Sequence, residues 1–330
     1  MELEFIYTNK DWQQLGYLSD CKLDIEIGKY NVASNDFELT LNKKNWNREF
    51  DKGSLFYAEN TEYGGMVLSK KVDTSSQNVT LKGKTFRGLL EKEYIQPSGG
   101  ETHVTLKSEA NEAIKKLLGT RFNDLITVDE LGLSNIHVDY QVRDMNLLDA
   151  LERMLIKKNA RIDIKYFDNQ CHVKAVEVKD LSEQIQIDDS YRLTMVVEEP
   201  AQNFNHVLAL GKGELTQRLR LNLYKQPDGS WGTTENGSGL SSYTFKYEDT
   251  NEEVLEKLKE KAIEKVNEAN GSNTVSVSFD GDMAELFDIV SAREEITGAS
   301  FKERITRKIL KAEIGKITKI ELEHKVGDNK

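Results

Sequence analysis

The residues that could carry chemistry are few in this sequence and lie far apart. Cys171 and His172 form the one Cys–His neighbour pair, and neither Cys171 nor Cys21 belongs to a Cys-x-x-Cys or similar ligand pair. A Cys–His pair could hold a metal or activate a thiolate. Adjacent side chains of a strand point to opposite faces, however, which separates the two groups. We therefore predict two reduced, structural cysteines.

The other ionisable groups also lack a catalytic spacing. The five histidines are scattered singly, at His103, His137, His172, His206 and His324. A lone histidine is more often structural than a ligand. Acid–base work needs two carboxylates that converge across a cleft, and the acidic residues of a predicted helix at 252–269 lie along a solvated surface. We predict no catalytic residues, no cofactor, no metal site and no enzymatic activity.

Two further stretches could bind ligands. Gly211-x-Gly213 invites a phosphate-loop interpretation, but it lacks both the GxxxxGK[ST] and the GxGxxG pattern and opens a strand rather than a helix. In the loop-rich region 225–247, Trp231 and Tyr243 are the candidates for a glycan-binding platform. For Trp231 we favour packing under the adjacent loop.

Composition narrows the class of protein. The 330 residues are 38% hydrophobic and 31% charged, which is typical of a soluble globular chain of two or three domains. No apolar run approaches the roughly 20 residues that a membrane span needs. The N-terminal residues have no leader pattern, so we expect a chain made and kept in the cytosol. The net charge of −11 argues against a broad phosphate-binding surface and against sequence-specific DNA binding.

The predicted elements divide the chain into three modules. Residues 1–97 are expected to form a small barrel or sandwich closed by a short helix around Leu89. Its predicted strands are Leu23 to Ile27, Asp36 to Leu41, Leu55 to Ala58, Met66 to Val72 and Val79 to Lys82. Residues 98–190 are expected to form an α+β module.

In this middle module, Ser108 is predicted to cap a helix that Gly119 ends, and Asp144 or Asn146 to cap a second helix. Asp168-Asn169 is predicted as a hairpin turn.

Residues 191–330 return to strands around one helix. Thr250-x-x-Glu253 is predicted as a capping box that opens this helix, which ends at Asn270-Gly271. Alternating apolar and charged residues then predict an antiparallel meander. Its strands are Ile289-Val290, Glu303 to Ala312 and Ile317 to Lys325, with turns at Gly298 and Gly315.

Several short segments, in order along nearly the whole chain, resemble the tail-hub proteins of siphophages and prophages. Asp36 to Leu41 is similar to the family's GDFEL strand, although Asn35 replaces the usual glycine. The closing strands include Asp288 to Val290, Glu295 to Gly298 and Arg304-Ile305, but Phe287 stands where the family commonly has glycine. Val79 to Lys84 and Asn205 to Arg218 resemble two further family segments.

The resemblance implies an α+β fold with two tail-tube-like barrel modules, at 1–97 and 191–330, and the α+β module at 98–190 between them. It implies a structural virion protein that is assembled in the bacterial host cytoplasm. Three copies would form a ring that joins a six-fold tail tube to a three-fold tip, contacts distal tail and tip proteins, and lets DNA pass without specific binding. Any wall-degrading activity would belong to a separate chain.

Two alternatives remain open from the sequence. One is a glycan-binding or cell-wall-degrading tail-tip protein, which would need an aromatic platform or a cleft with paired carboxylates. The other is the equivalent hub of a phage-derived injection machine, which the sequence does not distinguish from a phage tail.

Overall fold

The computed structural model describes most of the chain. The described residues are 3–122, 125–128, 133–183, 186–187, 194–198, 204–237, 239–270, 274–280, 284–293, 300–315 and 318–326. The predicted turn at Gly298, the family-like segment 295–298, the strand start at Ile317, the helix end at Gly271 and the loop residue Ser238 lie outside them. Two compact units are formed, Met1–Met195 with Ser276–Lys330, and Val196–Val275.

Seven strands and a short helix open the chain. They are β1 (Phe5–Thr8), β2 (Gln14–Tyr17), β3 (Cys21–Gly28), β4 (Asp36–Asn42), β5 (Leu55–Ala58), β6 (Gly64–Val72), β7 (Asn78–Thr85) and α1 (Phe86–Leu90). The five strands and the helix predicted here are confirmed. In β3, residues 23, 25 and 27 are buried while 22 and 24 are exposed, as period-two alternation requires.

The middle of the chain alternates strands and helices. Its elements are β8 (Tyr94–Ile95), β9 (Val104–Glu109), α2 (Ala110–Leu118), β10 (Ile126–Val128), β11 (His137–Val142), β12 (Met145–Asn146), α3 (Leu147–Ile156), β13 (Ala160–Phe167) and β14 (Gln170–Glu177). Asp168 and Asn169, both with positive φ, make the predicted turn between β13 and β14.

The predicted cap of α2 was wrong by one residue. The carboxylate of Glu109, not the hydroxyl of Ser108, accepts hydrogen bonds from the backbone N–H groups of Asn111 and Glu112. Ser108 belongs to β9, where it pairs with Val138. The cap of α3 is Asn146, one of the two predicted candidates, and Gly119 with φ 55° ends α2 as predicted.

The described residues of the second unit form a four-stranded sheet with one α-helix. After β15 (Gln186–Ile187) and β16 (Thr194–Glu198) follow β17 (His206–Leu210), β18 (Arg220–Lys225), β19 (Trp231–Gly232), β20 (Thr244–Glu248) and α4 (Leu255–Asn270). The sheet order is β19-β18-β17-β20. Val207, Leu223, Leu258, Ala262 and Val266 pack the helix onto it.

The predicted capping box of α4 was also wrong. The helix begins at Leu255, so Thr250 lies too far upstream to cap it. The carboxylate of Glu252 instead accepts a hydrogen bond from the backbone N–H of Val254, and that of Asp249 accepts one from Asn251. With these hydrogen bonds in residues 249–254, the helix begins about one helical turn later than the capping box predicted.

The C-terminal strands join the first strands of the chain in one sheet. They are β21 (Thr274–Asp280), β22 (Ile289–Arg293), β23 (Ser300–Ile314) and β24 (Lys319–Val326). The 13-stranded sheet has the order β16-β21-β24-β23-β3-β4-β7-β6-β5-β1-β2, with β22 beside β23 and β15 beside β22. The predicted antiparallel meander of β22, β23 and β24 is confirmed.

The pairing of β23 with β3 departs from the predicted division into modules. The C-terminal half of β23 pairs with β3, from Arg307 opposite Gly28 to Ile314 opposite Cys21. Leu310 and Leu322 therefore lie in the core formed by β1 to β7. Strands from the predicted third module complete the core of the first.

Two cores meet at β5. Phe56 and Ala58 face the core that the large sheet encloses, while Leu55 and Tyr57 face the core of α1, α2 and α3. All four side chains are buried, so this strand has no solvent face. Strands predominate, and the α+β composition is confirmed.

Candidate assembly surface

The Cys–His pair is separated as the strand geometry predicts. Cys171 is fully buried between β10 and β13, and burial raises the pKa of its thiol well above the ordinary value. The ring of His172 lies on the other side of β14 and stacks on Phe167 with 3.7 Å between ring centroids. The two side chains do not form a common site.

His206 lies on the open face of the second sheet and has a structural environment. Its Nδ1 lies 2.8 Å from the Thr244 hydroxyl and its Nε2 lies 3.0 Å from Asn222 Oδ1. The ring also stacks on Tyr224 at 4.6 Å. These contacts link β17 to both neighbouring strands and occupy both ring nitrogens.

The Gly211–Gly213 stretch forms a turn rather than a phosphate loop. Gly213 has φ 108°, and the Lys212 ammonium pairs with Glu253. The backbone N–H of Lys212 donates to the carbonyl of Glu252 at 2.9 Å. The glycines therefore bring the start of β18 and the approach to α4 together.

The aromatic candidates of the second unit differ in exposure. Trp231 was predicted to pack under the adjacent loop; it is half-buried against the core of the sheet and helix, and its indole N–H donates to Asn267 Oδ1 at 3.1 Å. Tyr243 is exposed. Other exposed apolar side chains of this unit are Leu215, Leu240, Val254 and Leu255.

A broad polar face covers the outside of the large sheet. Across β24, β23, β3, β4 and β7, one cross-strand row reads Glu321, Lys311, Asp24, Glu38 and Lys82. The inward residues of the same strands are apolar. An open groove of about 830 Å³ lies along this face.

Ion pairs on this face have good geometry but small energies. Lys22 Nζ lies 2.7 Å from Glu313 Oε1, and Lys82 Nζ lies 2.5 Å from Glu38 Oε2. Exposed pairs of this kind contribute about 0 to 1 kcal/mol each. The charges therefore keep the face hydrated and available for polar contacts, while the inner face supplies the stability.

A buried ionic junction holds the start of β22. The carboxylate of Asp288 accepts hydrogen bonds from the backbone N–H groups of Lys179 and Glu285, each at 3.0 Å. Arg161 Nε lies 3.5 Å from Asp288 Oδ1, and both side chains are buried. The junction joins β13 and the segment after β14 to the C-terminal strands. Asp288 was named from the sequence as part of a family-like segment, but Arg161 was not identified there as the partner of Asp288.

Lys308 is a second buried cation of this region. Its ammonium lies 2.8 Å from Glu285 Oε2 and 5.7 Å from the centre of the Tyr63 ring. Burial acts to raise the pKa of Glu285, but the Lys308 charge and hydrogen bond, with Arg161, hold it below its ordinary value. Glu285 is therefore ionised at neutral pH.

A metal-binding group and a membrane-spanning helix are both absent from the described part of the chain. There, no three His, Cys, Asp or Glu side chains are grouped so that they could hold a metal ion. None of the helices in the same residues is both long enough and apolar enough to span a bilayer.

The comparisons with known proteins find a shared fold. No protein-family model and no curated protein matches the sequence. A tail protein from Neisseria meningitidis matches with a TM-score of 0.54 at 10% identity, over 100% of this chain and 97% of its own. A prophage tail protein from Listeria monocytogenes matches with a TM-score of 0.52 at 10% identity, over 99% of this chain and 95% of its own.

A prophage tail protein from Shewanella oneidensis also matches, with a TM-score of 0.59 at 10% identity, over 99% of this chain and 98% of its own. At such low identity, the likeness is one of fold. The resemblance to tail proteins inferred from the sequence is confirmed at that level.

Proposed function

We propose that this protein is a structural component of a phage or prophage tail. The observation that carries the proposal is the match to three tail proteins over at least 99% of this chain. A match of that extent includes residues of both compact units. The dispersed histidines and the separated Cys–His pair agree with a role that needs no catalytic centre.

We further propose that the protein is a hub built from two barrel-like modules. The support is the length of β23, whose first residues pair with β22 while Arg307 to Ile314 pair with β3. One strand thus pairs with both parts of a continuous sheet. In this proposal Val196–Val275 is an insertion, since β16 and β21 on either side of it are sheet neighbours.

Three copies would form a ring with a central channel, between a six-fold tail tube and a three-fold tip. A ring arises when a head-to-tail interface closes by rotation. The charged outer face of the sheet favours a mixed polar interface, so the ring would be weak in dilute solution and firm beside other tail proteins. DNA would pass the ring without specific binding because the chain is acidic.

The test is the oligomeric state of the purified protein. Light scattering over a wide concentration range is expected to show a monomer–trimer equilibrium, and electron microscopy of the trimer a central channel. A stable dimer would overturn the hub proposal. So would a strict monomer that persists at high concentration with its tail partners present.

The rival wall-degrading function has its own test. We expect zymography against bacterial cell walls to show no lytic band, because Cys171 and His172 lie on opposite sides of β14 and no metal-holding group of side chains occurs among the described residues. A band that persists after repeated purification would favour the rival.

A further inference from the structure

A buried ionic cluster connects helix α3 to the large sheet. Arg87, on α1, is fully buried, and its guanidinium holds Glu62 through two contacts, Nε to Oε1 at 2.6 Å and Nη2 to Oε2 at 3.1 Å. Its third nitrogen, Nη1, lies 3.4 Å from Oε1 of Glu152 on α3. The other oxygen of Glu152 accepts a 3.0 Å hydrogen bond from the backbone N–H of Tyr30.

The cluster joins four segments of the first unit. Glu62 lies in the turn between β5 and β6, and Tyr30 lies in the turn after β3. Arg87 lies in the first turn of α1, which follows β7, while Glu152 lies in the middle of α3. Two turns of the sheet and α1 thus meet at Glu152, which is the contribution of α3.

The cluster holds more negative than positive charge. One guanidinium serves two carboxylates, of which Glu152 is buried and Glu62 is partly exposed, and the two contacts to Glu62 are better than the single long contact to Glu152. Burying an ionised carboxylate with an incomplete partner is costly. A proton is therefore bound most favourably at Glu152.

Charged groups on the surrounding elements modify this balance. Lys29, beside Tyr30, favours the ionised form of Glu152, and Asp149 on α3 itself disfavours it. Asp163 on β13 also acts on Arg87 and pairs with Arg161 at 3.1 Å. Burial is the largest effect, and it raises the pKa of Glu152 from 4.5 to about 7 although Arg87 opposes the change.

We propose that Glu152 is a proton-binding group through which pH controls how firmly α3 is held to the sheet. When Glu152 is neutral, one of its oxygens still accepts the hydrogen bond from the Tyr30 N–H, and the charge of Arg87 is balanced by Glu62. The ionised form places a buried negative charge beside the partly exposed carboxylate of Glu62. The link between helix and sheet is therefore firm in mildly acid solution and loosens as the pH rises above neutrality. Neither the ring nor the tail role enters this proposal.

The direction of the pH effect follows from linkage. The folded protein binds a proton at Glu152 more strongly than the unfolded chain does. The resulting stabilisation is complete below a pH of about 4.5 and is lost as the pH rises through about 7. Between these values one bound proton changes the unfolding equilibrium constant up to about tenfold per pH unit.

The experiment measures urea unfolding between pH 5 and pH 8 in a Trp231→Phe background. Fluorescence then reports Trp12 and Trp46, which both belong to the first unit. We expect the free energy of unfolding of Glu152→Gln to depend less on pH than that of the parent, by the contribution of about one bound proton. The matched control is Glu112→Gln, at an exposed position on α2, which should keep the dependence of the parent. An unchanged pH dependence in Glu152→Gln would overturn the proposal.

A second measurement does not depend on the variant's folding. The protein with ¹³C-labelled glutamate carboxyls is titrated by NMR, and one carboxyl is expected to change its shift near neutral pH. If every glutamate titrates in the ordinary acid range, the proposal is wrong.

Discussion

Asn35 accepts, through its side-chain oxygen, a 2.8 Å hydrogen bond from the backbone N–H of Gly28. Asn35 is fully buried and has φ 49°, in the left-handed region that glycine adopts most easily. Its amide nitrogen donates to Glu91 at 2.8 Å, and its carbonyl accepts from Thr85. Asparagine tolerates this backbone better than other residues with side chains, and here it also connects the ends of β3 and β4 to the region of α1.

Replacing Asn35 should separate the backbone effect from the hydrogen bonds. Asn35→Ala loses both side-chain bonds and strains the backbone, so we expect it to lower the free energy of unfolding by about 2–4 kcal/mol. Asn35→Gly loses the same bonds without the strain and should cost about 1 kcal/mol less. Urea unfolding followed by tryptophan fluorescence measures both. Equal stability of the alanine variant and the parent would contradict this account.

Phe287 presents the same backbone problem with an apolar side chain. It has φ 70°, is buried, and donates its backbone N–H to the carbonyl of Ile305 at 2.8 Å. The left-handed conformation that a glycine would favour is therefore kept here by a phenylalanine, and its cost is offset by burial of the ring.

Two substitutions at Phe287 should differ in a defined order. Phe287→Ala keeps the strain and leaves a cavity, which should cost about 3–5 kcal/mol. Phe287→Gly leaves the same cavity but relieves the strain, so it should be more stable than the alanine variant by about 1 kcal/mol. Thermal or urea unfolding of the two variants measures this difference in stability. A glycine variant less stable than the alanine variant would show that the backbone here is unstrained.

Local patterns in the sequence were sufficient for most elements of the first unit. Alternation placed β3 to β7, and the Asp168-Asn169 pair placed a hairpin, because these features depend on neighbouring residues. The two helix caps that were wrong depended on which of several adjacent polar side chains reaches the backbone. Spacing alone does not decide between Ser108 and Glu109.

Local sequence patterns did not predict which distant strands pair with each other. Nothing local to β23 indicates that its second half pairs with β3, almost 300 residues earlier in the chain. The buried cations were missed for the same reason, because Arg87 and Arg161 lie in ordinary apolar-polar stretches. Their carboxylate partners come from other elements.

The Arg161–Asp288 junction should be sensitive to loss of its cation. Arg161→Met removes the cation that lies beside the carboxylates of Asp288 and Asp163, and we expect a loss of about 3–5 kcal/mol. The control is Arg153→Met, whose exposed pair with Asp149 should be worth at most about 1 kcal/mol. Equal losses in the two variants would show that burial of the junction has little energetic weight.

The cysteines should be unreactive in the folded protein. Burial, with a smaller effect from Asp20, raises the pKa of Cys21 to about 12, and burial raises that of Cys171 well above its ordinary value. Since the thiolate is the reactive form, a thiol reagent at pH 8 should label neither residue in native protein and both in denaturant. Rapid labelling of the native protein would mean that one of them is accessible.

Strands from both ends of the chain contribute to one core, and Leu310 tests this arrangement. Leu310 on β23 is fully buried among the side chains of β3, β4 and β7, whereas its neighbour Lys311 points to the outer face. Leu310→Ala should therefore cost about 2–5 kcal/mol, and Lys311→Ala should remain within about 0.5 kcal/mol of the parent.

The same arrangement predicts which fragments fold. Residues 1–97 alone lack β23 and β24 on one side and the helices α2 and α3 on the other, so we expect no near-ultraviolet circular dichroism from them. A chain that joins 1–195 to 276–330 through a short glycine–serine linker keeps both cores and should fold cooperatively. A folded 1–97 fragment would mean that the first strands close a core by themselves, and that β23 adds to a sheet already complete.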